Sequence, residues 1–120
     1  MACEKDNAGV LGEDFAEKYF LKKGFCVKRN YRSRYGEIDL VAENSELIVF
    51  VEVKTRKADS MTSPKESVDV NKQRKIIKTA RYYIMNTDSE KQPRFDVFEV
   101  FLQNGRIYKF NPIESAFDAG

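Results

Sequence analysis

The segment from Leu47 to Val53 is apolar at every position but one, and it constrains the fold more than any other stretch. Successive side chains of a β-strand point to opposite faces of the sheet. As a strand, this segment would have apolar residues on both faces: Leu47, Val49, Val51 and Val53 on one, Ile48 and Phe50 on the other. A strand that is apolar on both faces is typical of an inner strand between two layers of helix. The sequence therefore predicts an α/β domain built around this strand.

Three segments have the spacing of helices. Apolar residues recur every three or four positions from Leu11 to Phe20, and Gly24 follows as a C-terminal cap. A second helix is predicted from about Asp69 or Asn71 to Asn86, because its apolar residues again form one stripe. A short closing helix is predicted at Ile113–Phe117.

Four further segments are predicted to be strands: Phe25–Arg32, Gly36–Glu43, Phe95–Leu102 and Ile107–Phe110. In the first of them, Phe25, Val27 and Tyr31 are expected to share one face, and Cys26 is expected to be a buried thiol. The second helix then joins the third strand to the fourth. Such a crossover makes those two strands parallel in a mixed sheet, with one helix on each face.

The chain is expected to form one domain. With 120 residues it can build a hydrophobic core but is too short for two domains of the usual size. Residues 1–8 are expected to be a flexible N-terminal tail, and residues 9–120 the domain. Lys57–Glu66 is polar and without apolar periodicity, so we expect a mobile loop there.

The location of the protein follows from what the sequence lacks. No stretch is long and apolar enough to span a membrane, and the N-terminus has no apolar segment of the kind found in signal peptides. We therefore expect a cytoplasmic protein without membrane association.

The residue types present exclude several chemistries. The chain contains no histidine and only two cysteines, Cys3 and Cys26. Ser–His and Cys–His catalysis therefore lack their base, and a tetrahedral zinc site lacks its usual ligands. A metal site here should be built from oxygen ligands, which favours Mg²⁺ or Mn²⁺.

Charged residues interrupt two otherwise apolar strands of the hairpin. A turn at Asn44-Ser45 would set Asp39 opposite Phe50 and make it a diagonal neighbour of Glu52, roughly 7–8 Å away between Cα atoms. Lys54 would then share their face. Two carboxylates could converge on one cation there, beside a lysine that reaches a bound water. The alternative is an ion pair between Glu52 and Lys54 at a solvated strand end.

Other charges are less specific. Glu13 lies at the margin of the first helix's apolar stripe, where it could tilt into a crevice, although its spacing favours a solvated position. The net charge of +2 is too small to indicate nucleic acid by itself. Cations nevertheless cluster in three groups: Arg29, Arg32 and Arg34; Lys54, Arg56 and Lys57; and Lys72, Arg74, Lys75, Lys78 and Arg81. Each group alone is typical of a solvated face.

The motifs Gly12-Glu13, Gly36-Glu37-Ile38-Asp39-Leu40 and Phe50-Val51-Glu52-Val53-Lys54, with Arg56, resemble the PD-(D/E)xK nuclease superfamily. More closely, the chain is similar to the uncharacterised bacterial YraN-like family, which is related to archaeal Holliday-junction resolvases. The similarity runs from about Gly9 to Phe117 and includes Lys72, Arg94-Phe95-Asp96 and Ala116-Phe117. The chain departs from the superfamily pattern because no proline precedes Asp39. The resemblance implies a restriction-endonuclease-like fold.

The resemblance also implies roles for individual residues. Asp39 and Glu52 would bind Mg²⁺ or Mn²⁺ together with the main-chain carbonyl of Val53, and Lys54 would position or activate the attacking water. Glu13 would support the metal directly or through a water molecule, which reverses the preference drawn from its spacing. The residues expected to contact nucleic acid are Arg32, Arg34, Arg56 and Lys72.

The function implied by the resemblance is metal-dependent hydrolysis of DNA phosphodiesters. The enzyme would be a structure-specific endonuclease of repair or recombination that acts on branched or single-stranded DNA, and it could act as a homodimer. The alternative is a nucleic-acid-binding adaptor that uses the nuclease scaffold with little or no catalysis. Cleavage of RNA is a third interpretation.

Overall fold

A computed structural model describes residues 7–57 and 68–119 of the protein. Its elements, in chain order, are α1 (Asn7–Lys22), β1 (Cys26–Ser33), β2 (Gly36–Glu43), β3 (Leu47–Lys57), α2 (Val70–Thr87), β4 (Gln92–Gln103) and β5 (Arg106–Phe117). The predicted order of helix, three strands, helix and two strands is confirmed. Residues 1–6 of the predicted tail and residues 58–66 of the predicted loop lie outside the described residues, and α1 begins two residues before the expected domain boundary.

The strands form one sheet in the order β1-β2-β3-β4-β5. Adjacent strands are antiparallel except β3 and β4, which pair in parallel from Leu47–Gln92 to Lys57–Leu102. Because α2 connects β3 to β4, the predicted crossover and mixed sheet are confirmed.

Two hydrophobic cores cover the sheet, one on each face. On one face Ala16 and Phe20 of α1 pack with strand residues that include Val49 and Val51. On the other face Ile76, Ala80 and Tyr83 of α2 pack with strand residues that include Ile48 and Phe50. β3 therefore contributes side chains to both cores, as predicted from the apolar residues on both of its faces.

α2 has specific signals at both ends. Asp69 is its N-cap and accepts a hydrogen bond from the backbone N–H of Lys72 at 2.8 Å, a standard way to satisfy a free donor of the first turn. Asp88 ends the helix in the left-handed conformation with φ 50°. The predicted bounds agree closely. Neither α1 nor α2, the helices of the described ranges, is both long and apolar enough to cross a membrane.

Gly12 lets α1 lie close against β3. A Cβ atom at this position would overlap Oγ1 of Thr55 and lie 3.3 Å from Cγ1 of Val53. Both neighbours are β-branched, so their side chains are restricted in how they can withdraw. The glycine thus sets how closely α1 approaches β3 just beyond Glu52, although a glycine inside a helix costs about 0.5–1 kcal/mol relative to alanine.

β1 and β2 change face together at Asn30. Arg29 and Leu40 are paired and lie on the α1 side, whereas the next pair, Tyr31 and Ile38, packs on the α2 side. Asn30 has φ 56°, a left-handed conformation that asparagine tolerates better than most residues. The prediction that Tyr31 lies on the same face as the apolar residues before it is therefore wrong. The irregularity falls beside Asp39, between the two pairs.

The prediction of a buried Cys26 thiol is also wrong, because Cys26 is exposed. Its neighbours Phe25 and Val27 pack against the α1 core. Strand alternation therefore turns the side chain between them towards the other side.

The predicted closing helix is wrong as well, because Ile113–Phe117 forms the end of β5. Apolar residues four positions apart share a side in a helix and in a strand, so this spacing did not distinguish the two. Ser115, with φ 53°, interrupts the pairing and donates its N–H to Asp96 at 3.1 Å. Asp96 also accepts two hydrogen bonds of 2.9 Å from Arg94. This pair anchors the end of the sheet.

Gly12→Ala should destabilise the protein by about 1–3 kcal/mol, the usual range for overpacking a core. The clash with Thr55 should outweigh the gain in helix propensity. Denaturant unfolding measures the free energy directly. When Gly12→Ala is added to a Thr55→Ala protein, it should destabilise that protein much less, because the side chain that clashes has been shortened. A Gly12→Ala protein as stable as the wild type would contradict this account of the α1–β3 contact.

Candidate metal centre

The β2–β3 hairpin has a longer loop than predicted. Glu43 pairs with Ile48 rather than with Glu46. Asn44 Oδ1 accepts hydrogen bonds from the backbone N–H groups two and three residues later, at 2.9 and 2.8 Å, and this closes the longer loop. The predicted two-residue turn is therefore wrong. A register shift of two residues nevertheless keeps the paired residues 40–42 and 48–51 on their predicted faces, because strand side chains alternate with a period of two.

Asp39 lies where β2 parts from β3. The pairing of the two strands ends at Leu40 and Val51. One residue further on, Oδ2 of Asp39 accepts the backbone N–H of Val53 at 2.9 Å. The carboxylate satisfies a donor that the ladder no longer pairs. Extending the ladder by one pair would set Asp39 opposite Glu52, instead of the predicted diagonal position.

Glu52 is a buried carboxylate with two lysines beside it. It is 6% exposed although it lies on a strand with apolar neighbours. Nζ of Lys72, on α2, lies 2.5 Å from Oε2 of Glu52, and Nζ of Lys54 lies 3.8 Å from the same oxygen. Burying a carboxylate without a counter-charge is costly, so these ammonium groups stabilise it in place.

Lys72 places a positive charge directly beside Glu52. Partial burial disfavours its charged form, but the hydrogen bond to Glu52 and the charges of Glu52 and Asp39 outweigh this effect and raise the pKa of Lys72 above its ordinary value. The side chain therefore stays protonated at neutral pH. Its ammonium group contacts Glu52, and the charge of Asp39 adds to the effect on its pKa.

Glu13 is buried, so the solvated position favoured by its spacing is wrong. It lies on the α1 side of the sheet, where its carboxylate binds Arg29 at 3.1 Å. Asp14 and Glu17 bind the same guanidinium at 2.5 and 3.2 Å. Glu52 is on the α2 side with Lys72. Within residues 7–57 and 68–119, no three acidic, histidine or cysteine side chains are grouped closely enough to hold a metal ion.

The arginines predicted to contact nucleic acid differ in their surroundings. Arg34 is exposed on the β1–β2 turn, and Arg32 is 75% exposed with Glu37 at 3.4 Å. Arg56 is largely covered and binds Glu99 at 3.1 Å. Arg32 and Arg34 are therefore accessible to a ligand, whereas Arg56 is held in the sheet.

Lys72 was predicted from the sequence to contact nucleic acid, but its contact with Glu52 was not predicted. A signal was present. Lys72 precedes Ile76, Thr79 and Tyr83 at intervals of four, three and four residues, and those three are buried against the sheet. This spacing puts Lys72 on the same side of α2.

These positions define an α/β domain with a mixed five-stranded sheet and a carboxylate–lysine cluster beside the end of a central hairpin. The chain belongs to the family described as "Uncharacterised protein family UPF0102", whose family model matches residues 12–100. Membership of this group, expected above as the YraN-like family, is thus confirmed.

Several curated relatives are similar over almost their whole length, and each is named only as a UPF0102 protein. The relative from Caldanaerobacter subterraneus is 43% identical over 117 residues, covering 94% of this chain and 96% of its own. The relative from Persephonella marina is 43% identical over 112 residues, covering 92% of each chain. The relative from Clostridioides difficile is 44% identical over 111 residues, covering 91% and 95%.

Lys72→Met should lower the stability of the metal-free protein. The substitution leaves Glu52 buried beside Asp39 with only the more distant Lys54 as counter-charge. We expect a loss of about 1–2 kcal/mol, less than for a fully buried pair because Lys72 is partly exposed. Thermal unfolding in the presence of EDTA should show a Tm several degrees below that of the wild type.

The matched control is Lys75→Met, the same change on the exposed side of α2. Its Tm should be close to that of the wild type, because surface substitutions of this kind are nearly neutral. An equal Tm for the Lys72 and Lys75 variants would show that the Glu52–Lys72 contact does not stabilise the site.

Proposed function

We propose that this protein is a divalent-metal-dependent nuclease that hydrolyses DNA phosphodiesters at Asp39, Glu52 and Lys54. One observation carries the proposal: the buried carboxylate of Glu52 binds the ammonium group of Lys72 at 2.5 Å where β2 parts from β3, and the negative charge of Asp39 also raises the pKa of that lysine. This arrangement supports a cation-binding position at the end of the hairpin, with Lys54 beside it.

The donor set suits Mg²⁺ or Mn²⁺. Mg²⁺ prefers oxygen ligands, keeps several of its waters and is often held by only one or two carboxylates. Asp39 and Glu52 would supply those two. The N–H and C=O of a residue in an antiparallel ladder point towards the same neighbouring strand. Since the Val53 N–H is bound by Asp39, its carbonyl is expected on the same side and would be a third protein ligand.

Each residue would have a distinct part in hydrolysis. A bound Mg²⁺ or Mn²⁺ would neutralise phosphate charge and lower the pKa of a coordinated water. Asp39 is oriented by its hydrogen bond to Val53, so its carboxylate needs no rearrangement before it binds. Lys54 is half-buried and close enough to Glu52 to hold a water or a phosphate oxygen beside the carboxylate. Lys72 would leave Glu52 when a divalent ion arrives.

The charge distribution favours a nucleic acid as substrate. The exposed Arg32 and Arg34 and the cations of α2 lie on elements that adjoin the carboxylates, and phosphate groups are their natural partners. We propose branched or single-stranded DNA as the substrate, with repair or recombination as the process. We further propose a cytoplasmic location. A homodimer would allow two strands to be cut.

The second candidate is a nucleic-acid-binding adaptor without catalysis. The observation in its favour is that the described residues hold no third acid near Asp39 and Glu52, and that a lysine already neutralises them. On this account the carboxylate–lysine contact is only structural, and divalent ions have no effect on activity or on DNA binding.

The deciding experiment incubates purified protein with labelled junctions, flaps, single strands and duplexes in Mg²⁺ or Mn²⁺. The wild type should cleave at least one branched or single-stranded substrate. Asp39→Asn keeps an acceptor for the Val53 N–H but loses the negative charge, so cleavage should fall by about 100-fold or more. Lys54→Ala should lower cleavage by a similar factor.

The matched control is Glu37→Gln, which removes an exposed acid from the same strand as Asp39. It should retain wild-type cleavage. No cleavage of any substrate by the wild type, or equal cleavage by wild type and Asp39→Asn, would reject the nuclease in favour of the adaptor.

A further inference from the structure

α2 is a cationic helix without any acidic residue. Val70–Thr87 contains five lysines and arginines but no aspartate or glutamate. Besides Lys72, which binds Glu52, its cations are exposed and have no ion-pair partner among the residues that the structure describes: Arg74, Lys75, Lys78 and Arg81. A solvated helix more commonly alternates the two signs, because oppositely charged pairs one turn apart stabilise it. This one-sided charge favours an anionic partner.

An exposed aromatic pair adjoins these cations. Tyr35, on the β1–β2 turn, and Tyr82, on α2, are 37% and 40% exposed, and their ring centroids are 6.1 Å apart. The guanidinium of Arg34 lies 5.1 Å from the Tyr35 ring centre. Tyrosine is enriched at binding interfaces because it joins an apolar ring to a polar hydroxyl, so two tyrosines beside unpaired cations suit a binding surface.

The turn that carries Tyr35 is held against α2. Ser33 donates a hydrogen bond to Thr79 at 3.5 Å. Gly36 has φ 155°, and a Cβ there would lie 3.3 Å from Oγ1 of Thr79 and 3.5 Å from Cβ of Lys75. The backbone of the turn therefore lies close to the helix, and the two tyrosines are kept adjacent.

The aromatic pair lies on the same side of the sheet as the candidate metal centre. Lys72 contacts Glu52 from the first turn of α2, and Tyr82 is ten residues further along, about 15 Å by the helical rise. Lys75 and Lys78 lie between them on the helix. A chain of phosphates could therefore run from the carboxylates along α2 to the tyrosines.

We propose that Tyr35 and Tyr82, with Arg34, Lys75 and Lys78, form a binding platform for unpaired nucleotides. The inference deepens the proposed function and rests on it, because it names a single-stranded segment as the part of the substrate bound beside the cleavage site. Unpaired bases stack on exposed aromatic rings while cations bind the backbone. Bases inside a duplex are stacked on each other and offer no free face to tyrosine.

A membrane surface fits the same cations less well. Helices that lie on membranes insert a broad apolar face. The apolar stripe of α2, which includes Ile76, Ala80 and Tyr83, is instead buried against the sheet. The exposed large apolar residues of α2 besides Tyr82 are Val70 and Met85, at opposite ends of the helix, so the outward side offers charge rather than a broad apolar face.

The test measures fluorescence anisotropy of labelled oligothymidylate and of a duplex of equal length in EDTA. Tyr35→Ala/Tyr82→Ala should weaken binding of the single strand by about tenfold, or about 1.4 kcal/mol, and change duplex binding by less than about twofold. Tyr35→Phe/Tyr82→Phe keeps both rings and should bind like the wild type. Circular dichroism and Tm of each variant establish that it is folded.

Two controls identify the partner. Tyr108→Ala removes another exposed tyrosine, on β5, and should leave binding unchanged. Lys75→Gln/Lys78→Gln should weaken single-strand binding and reduce the slope of log affinity against log salt by about 1–2, whereas Lys18→Gln/Lys22→Gln on α1 should not.

The proposal would be overturned if the double-alanine variant bound single strands as the wild type does, if it lost single-strand and duplex binding equally, or if Tyr108→Ala caused an equal loss. A parallel assay with phosphatidylserine vesicles tests the membrane alternative, and a loss confined to vesicle binding would also overturn the proposal. Because the assay contains no divalent metal, it is independent of cleavage. A protein that binds single strands through the tyrosines but never cuts them would reject the proposed nuclease and leave the platform intact. A protein that cleaves DNA but binds single strands equally well without the two tyrosines would reject the platform and leave the proposed nuclease intact.

Discussion

The hydrogen bond from the Val53 N–H to the Asp39 carboxylate lies at the point where β2 leaves β3. Because a side chain replaces a backbone acceptor, the strands can separate without leaving this donor unsatisfied. The separation opens the sheet at this point, and Glu52 lies there on the same strand as Val53. The carboxylates, and with them the proposed metal centre, depend on this break in the ladder.

The two helices pack on opposite faces of the sheet near the point where β2 and β3 separate. α1 packs closely behind β3 because Gly12 has no side chain, and α2 brings Lys72 to Glu52 from the other face. A carboxylate buried in this position would be costly by itself. Nearby lysines offset the cost and leave a cation-binding arrangement, which is why the same contact both stabilises the metal-free protein and points to a function.

The architecture could be predicted because Leu47–Val53 has apolar residues on both faces, a pattern typical of an inner strand with helices packed on both sides of the sheet. The sequence predicted the shared face of Glu52 and Lys54 because side chains two residues apart on one strand lie on the same side whatever the register of the hairpin. The loop itself was mispredicted, since the hydrogen bonds of Asn44 depend on loop geometry rather than on residue type alone. Tyr31 was misplaced because the left-handed Asn30 leaves only a weak signal in the sequence. The contact of Lys72 with Glu52 was missed because it joins two elements that are distant in the chain.

The central claim is that Asp39 and Glu52 together bind a divalent cation. Titration of the protein with Mn²⁺, followed by electron paramagnetic resonance of the free ion, tests it without any substrate. The account predicts a site that Asp39→Asn and Glu52→Gln each weaken by about tenfold or more, as loss of a ligand should, and that Glu37→Gln leaves unchanged. Equal Mn²⁺ affinity in the wild type and in both ligand variants would contradict it.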